Sequence, residues 1–162
     1  MNKLFIVKIG GNVLDNETTL QSFVKDFASI DAGKILIHGG GKIATRLGDQ
    51  LGIESKYING RRIQHAATID LVTMVYGGLV NKQIVAQLQF LNCNALGLTG
   101  ADGNILSARK RPVKDVDFGF VGDITADGLN RNFLSSLLNQ GVVPVFALLT
   151  HADGKMLNTN AD

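Results

Sequence analysis

Two stretches of this chain combine residue types and spacing that could do chemistry: Lys8-Ile9-Gly10-Gly11 and His38-Gly39-Gly40-Gly41-Lys42. Each glycine run follows an aliphatic run, Leu4-Phe5-Ile6-Val7 in the first case and Ile35-Leu36-Ile37 in the second. Residues without Cβ let backbone N–H groups crowd onto a ligand. The helical pattern that follows the second run would add unpaired N–H donors and the positive end of a helix dipole. A phosphate needs several N–H donors and at least one point cation, and two glycine tips with Lys8 supply that set. Two loops converging on one phosphate is therefore the expectation. The common nucleotide motifs are absent from the sequence. There is no Gly-x-x-x-x-Gly-Lys-Ser/Thr, and Gly39-Gly40-Gly41 is followed by Lys42-Ile43-Ala44 rather than by a third spaced glycine. His38 could be a base, but a histidine at a strand end before glycines is more commonly structural.

Period counting supplies the elements that must hold these loops. Strands are expected at 4–9 and 34–38, with an amphipathic helix at 17–30 between them, a βαβ unit, and a short helix at 42–51 after the second glycine run. Asn59-Gly60 predicts a type I′ hairpin with flanks at 56–58 and 61–63. Residues 66–92 carry the longest helical pattern, interrupted by Gly77-Gly78, which suits either a close helix crossing or a bend. A strand at 94–99 enters the turn Gly100-Ala101-Asp102-Gly103. A strand-rich flap is expected over 105–124, a helix over 129–138 closed by Gly141, one continuous apolar strand over 142–149, and a hairpin turn at Asp153-Gly154. The alternation predicts one α/β domain with a parallel central sheet.

Composition narrows the class. A chain of 162 residues with 45% hydrophobic residues is long enough to bury a core without staples, and no apolar run approaches a membrane span. Cys93 is the only cysteine, so an intrachain disulfide is impossible, and a buried inert thiol is the plain reading. The formal charge of +2 with a single basic triplet, Arg109-Lys110-Arg111, speaks against nucleic acid and for small anionic substrates. The absence of a signal-peptide pattern at Met1-Asn2-Lys3 predicts a cytoplasmic location.

Taken with Asn59-Gly60-Arg61-Arg62, Asn81-Lys82 and Asn158-Thr159-Asn160-Ala161-Asp162, the two glycine stretches resemble, in order over the whole chain, the motifs of the amino acid kinase family. Within it the strongest resemblance is to members that act on N-acetyl-L-glutamate. The resemblance implies a three-layer α/β sandwich with a mainly parallel sheet, 1–162 forming the N-terminal acylamino-acid-binding domain. It implies transfer of the γ-phosphoryl of ATP, with Mg2+, to the side-chain carboxylate of N-acetylglutamate, giving N-acetylglutamyl 5-phosphate in arginine biosynthesis. Lys8 would stabilise the transferring phosphoryl group. Gly10, Gly11 and Gly40 would donate to phosphate, and Gly40 and Gly41 to the acceptor carboxylate. Arg62 would grip the α-carboxylate, Asn158 the acylamino group, and Asp162 would orient Lys8 and a second lysine. Mg2+ would be held mainly by ATP oxygens.

Three features set this sequence apart. Family members run on well past this length, and their remaining part carries the adenine and ribose pocket and the second lysine. A nucleotide-binding domain is thus expected to be absent from these residues, and negligible kinase activity is expected of them alone. Arginine-inhibited hexameric members begin with an extra helix, whereas here a strand begins at Leu4, so the expectation is an arginine-insensitive homodimer built on the 66–92 helix. Finally, Val145-Phe146-Ala147-Leu148-Leu149 occupies a place where relatives have small or hydroxyl residues. N-succinylglutamate is therefore an alternative substrate and another carboxylate kinase of the family a further reading. A non-catalytic amino-acid-binding module is the reading from a different class, against which Lys8, Arg62, Asn158 and Asp162 together favour a kinase.

Overall fold

The computed structural model describes residues 3–160. Along the chain run β1 (Leu4–Ile9), α1 (Gly11–Leu14), α2 (Glu17–Ala28), β2 (Gly33–His38), α3 (Gly41–Gln50), β3 (Tyr57–Ile58), β4 (Arg61–Arg62) and α4 (Ala66–Val72). A π-helical segment, Thr73–Val80, leads into α5 (Asn81–Phe90) and β5 (Ala95–Leu98). After a short 3₁₀ turn, Asp102–Asn104, come β6 (Leu106–Lys110), β7 (Gly122–Leu129), α6 (Arg131–Asn139), β8 (Val143–Ala147), β9 (Leu149–Ala152) and β10 (Lys155–Asn158).

The aliphatic runs form a four-stranded sheet in the order β1-β2-β8-β5, with every neighbouring pair parallel. On β8, Val143, Val145 and Ala147 join the larger apolar cluster, while Phe146 packs against the smaller one around Leu98, Ile105 and Leu137. Successive strand side chains point to opposite faces, so the two clusters lie on opposite sides of the sheet. Helix α2 covers the first side with Val24 and Phe27, and the long helical stretch adds Ile69, Val72, Tyr76, Ile84 and Leu88. Helix α6 covers the second side with Leu137 and Phe133. This is the expected three-layer arrangement. Each fully buried aliphatic, such as Leu36, Val145 or Ile84, contributes about 1.5–3 kcal/mol of transfer free energy. A second, mixed sheet, β10-β9-β6-β7, stands beside the first.

Several expectations hold. The Asn59-Gly60 turn has φ of 50° and 74°, as a type I′ hairpin needs. The flap is an antiparallel β6–β7 pair, and Gly141 follows α6 with φ of 72°. Others are corrected. The apolar run 142–149 is two strands in different sheets: the chain turns at Leu148, whose N–H donates to the His38 carbonyl (3.1 Å) and whose carbonyl accepts from Thr159 (3.2 Å). The helix expected from 129 begins at Arg131, because Leu129 pairs with Leu106 at the end of β7 and Asn130 caps the helix through Oδ1 to the Phe133 N–H. The helix expected over 66–92 is interrupted by the π segment, inside which Gly77 and Gly78 fall. At the two glycines no close helix crossing is present among the described residues: a Cβ on Gly77 would meet Leu149 and Thr99, and one on Gly78 nothing within 4 Å.

Candidate functional site

Strands β1 and β2 are parallel neighbours, so Gly10-Gly11 and Gly39-Gly40-Gly41 emerge side by side at one edge of the sheet and open α1 and α3. Their edge is the carboxyl end of the strands, where ligands of open α/β sheets bind. A cleft of about 580 Å³ lies between them, lined by Gly10, Gly11, Asn12, Gly41, Lys42 and Thr45 among others. Lys42, at the start of α3, bridges the two loops by reaching Asp15 (3.2 Å) and the Asn12 Oδ1 (3.2 Å). The bridge is exposed and adds little stability. Val7 and Ile9 pack into the larger cluster, so Lys8 between them projects from the opposite face of β1.

The glycines are required for different reasons. Gly40 has φ of 156°, and a Cβ there would stand 3.1 Å from the ring of Tyr76. The fold itself demands glycine at that point. Gly10 has φ of −102°, which any residue adopts, and a Cβ would meet nothing within 4 Å. Its missing side chain leaves room in the cleft, as a phosphate cradle requires.

An anion site also needs backbone oxygens engaged elsewhere. The Gly39 carbonyl contacts His38 Nδ1 (2.9 Å), and the Gly40 carbonyl accepts from Ala44 (2.9 Å). The Gly41 carbonyl accepts from Thr45 Oγ1 (2.9 Å) and Arg62 Nη2 (2.8 Å). All three oxygens of the glycine run are therefore occupied within the protein.

Arg62 is fixed by more than the loop. Its Nε (3.1 Å) and Nη2 (2.7 Å) donate to the Tyr57 hydroxyl, Nη2 also donates to Thr45 Oγ1, and the guanidinium lies 5.3 Å from the centre of the Tyr57 ring. Nη1 is buried without a hydrogen-bond partner among the described residues. It belongs to a second cleft, of about 400 Å³, shared with Asn158, whose Oδ1 is likewise buried and unpartnered among the described residues. Buried polar atoms are nearly always satisfied, and here a donor and an acceptor are both left over on residues that line one cleft, as Ser55 Oγ and Gln64 Oε1 are elsewhere among the described residues. The flap secures that cleft: Gln64 and Phe118–Phe120 exchange two backbone hydrogen bonds, and Gly119 permits the contact because a Cβ would run into the Gln64 carbonyl.

The structure thus brings Gly10, Gly11 and Gly41 together at one cleft, with Gly40 buried next to Gly41, and Arg62 with Asn158 at the next, while Arg62 joins the two through the Gly41 carbonyl; Lys8 lines neither cleft. Asp162 lies outside the described residues. Sequence reasoning missed Tyr57 and Thr45, which hold Arg62; a polar side chain opposite Arg62 in the hairpin register was the available signal. An apolar groove of about 460 Å³ lies between α2 and α5, away from the glycine turns. Among the described residues no three His, Cys, Asp or Glu side chains are grouped to hold a metal ion.

A parallel sheet flanked by helices, with two glycine turns at its carboxyl edge, defines an α/β protein whose ligand edge is built for an anion. The model of the amino acid kinase family matches residues 3–162, and the chain belongs to that family. It is 59% identical over 161 residues to a Phocaeicola vulgatus protein named acetylglutamate kinase, covering 99% of this chain and 62% of that protein. It is 58% identical to the Parabacteroides distasonis protein of the same name, covering 100% of this chain and 63% of that one. The chain therefore spans less than two thirds of the length of these relatives. Among solved structures, smu.665 from Streptococcus mutans superposes with a TM-score of 0.82 at 25% identity, over 98% of this chain and 64% of that one. The Neisseria gonorrhoeae N-acetylglutamate synthase shares the fold, with a TM-score of 0.79 at 23% identity over 97% of this chain and 36% of that one.

Proposed function

We propose that the protein phosphorylates the side-chain carboxylate of N-acetyl-L-glutamate with ATP, and that these residues form its acylamino-acid-binding domain. The observation that carries the reading is the pair of unmet partners at one cleft. Arg62 Nη1 offers a donor suited to a carboxylate, and Asn158 Oδ1 offers an acceptor suited to the N–H of an acylated amine. A free α-amino group would be an ammonium with three donors, more than this acceptor alone can serve. The names of the relatives agree with this choice. The Asn158 acceptor would serve an N-succinylated amine as well, so the choice of the acetyl group over that alternative rests on the names of the relatives; an aspartate-type substrate lacks the acylated N–H.

In this reaction a side-chain carboxylate oxygen attacks the γ-phosphorus, the bond to the β,γ-bridging oxygen breaks, and its electron pair leaves with ADP. No proton moves, because the carboxylate is already ionised. The obstacle is repulsion between two anions, so catalysis consists of positioning and charge stabilisation. Gly10, Gly11 and Gly40 present N–H groups to the phosphoryl oxygens, Gly40 and Gly41 steady the attacking carboxylate, and Lys8 supplies the point cation. Asp162, in this reading, orients Lys8. Among the described residues no three His, Cys, Asp or Glu side chains are grouped; Mg2+ would arrive with ATP, held mainly by its phosphate oxygens.

The nucleotide is held, in this proposal, by a further domain outside these residues, which by themselves carry negligible activity. The protein acts in the cytoplasm as a homodimer. Supporting the dimer, Met74 (58% exposed) and Leu79 (42%) lie with open Gly78 on the π segment, an apolar stretch left uncovered among the described residues. An ATP-dependent assay of acyl phosphate formation on a protein of the relatives' full length tests the function. Formation from N-acetyl-L-glutamate supports it, and turnover of aspartate or N-succinylglutamate in its place refutes the substrate.

A further inference from the structure

His38 and Asn81 are both fully buried polar side chains that the phosphoryl-transfer scheme leaves without a role. Asn81 opens α5 immediately after the π segment. Its Nδ2 lies 2.9 Å from the Val145 carbonyl and 2.9 Å from His38 Nε2, and its Oδ1 accepts from Lys82 Nζ (3.2 Å). These contacts leave one assignment. A carbonyl only accepts, so the atom facing Val145 is the amide nitrogen, and its second hydrogen meets His38 Nε2. That nitrogen must then be the lone-pair acceptor, the proton must sit on Nδ1, and Nδ1–H donates to the Gly39 carbonyl at 2.9 Å.

The consequence falls on the next peptide group. In a trans peptide the carbonyl and the following N–H point in opposite directions. Holding the Gly39 oxygen toward the buried imidazole therefore turns the Gly40 N–H away from it. Gly40 is also pinned from the helical side, where a Cβ would meet the Tyr76 ring and Val80. The π segment places Tyr76 and Val80 against Gly40 and delivers Asn81 to His38, and widened turns of this kind recur at functional sites. Glycine at position 97 is part of the device, since a Cβ there would run into Asn81 Oδ1.

We propose that His38, locked by Asn81 as its Nδ1–H tautomer, is a positioning residue that aims the Gly40 N–H at the phosphoryl group. It touches neither substrate and acts through the Gly39–Gly40 peptide. The inference rests on the phosphoryl-transfer reading above, yet it makes one claim independent of it, the position of the ring proton.

Two measurements test it on a protein of the relatives' full length. In 15N NMR at neutral pH, His38 is expected to carry its proton on Nδ1 with Nε2 bare, whether or not any substrate is turned over; an Nε2–H tautomer or an imidazolium overturns the proposal. In kinetics, His38→Asn keeps a donor near the Nδ1 position and His38→Gln moves it toward Nε2. His38→Asn is expected to retain most of the parent's kcat, and His38→Gln to lose about 100-fold in kcat, the cost of one misdirected oxyanion donor, with KM for the acylamino acid little changed. Variants that fold, judged by circular dichroism, and are equally active or equally impaired overturn it. A parent protein without phosphoryl transfer refutes the proposed function instead, and leaves the NMR result to decide the ring proton.

Discussion

Arg62 and Asn158 line one cleft with complementary needs: a buried Nη1 donor on the first and a buried Oδ1 acceptor on the second, neither partnered among the described residues. An isolated buried polar atom costs about 1–3 kcal/mol, and in the proposed function the N-acylated amino acid relieves both. Arg62→Lys keeps the charge but loses the planar fork and the stacking on Tyr57. It is expected to raise KM for N-acetyl-L-glutamate about 10- to 100-fold with a smaller change in kcat, and Asn158→Ala about 10-fold. Steady-state kinetics check both; an unchanged KM in either variant removes that residue from the substrate site.

Gly10 and Gly40 separate function from stability. Gly10→Ala introduces no strain and no clash within the protein, so the melting temperature is expected to stay near the parent's while kcat/KM falls by about 100-fold or more. Gly40→Ala forces a φ of 156° on alanine and pushes a methyl against Tyr76, and is expected to cost about 1–3 kcal/mol of stability. Paired thermal melts and kinetics check the contrast, and a Gly10→Ala variant with parental kcat/KM shows that the cradle does not need its space.

Stability should fall as pH drops from about 6.5 toward 4. Burial lowers the His38 value from 6.5 to about 4, against a contribution from the Gly39 hydrogen bond that raises it, and the Lys82 charge lowers it further. A folded value below the unfolded one means that the unfolded chain takes up the proton first. His38 therefore contributes its full stability above 6.5 and loses it as pH falls through about 4, about 3 kcal/mol in all. Denaturant unfolding of the parent and of His38→Gln across this range checks the sign: the parent should lose more than the variant, and equal losses assign the acid sensitivity to other groups.

Much of this was legible in the sequence because the signals were local. Aliphatic runs ending in glycine marked β1 and β2, and Asn59-Gly60 marked its hairpin. What was not legible depended on partners distant in the chain. Nothing near Leu148 announces that its backbone is taken by His38 and Thr159, so the apolar run around it read as one strand. The π segment sets Tyr76 and Val80 against Gly40, a contact that a count of helical spacing does not register. Tyr57 and Thr45 are ordinary residues until Arg62 reaches them.

The central claim is the proposed transfer of a phosphoryl group to a carboxylate at the glycine-loop cleft, with Lys8 as the point cation. It is tested most directly by trapping the acyl phosphate with hydroxylamine, using a protein of the relatives' full length, ATP and N-acetyl-L-glutamate. The expected result is an ATP-dependent hydroxamate whose rate of formation falls by about 100- to 1,000-fold in Lys8→Ala, with the KM for N-acetyl-L-glutamate changed far less. A folded parent that forms no hydroxamate, or a Lys8→Ala variant that forms it at the parental rate, would contradict the account.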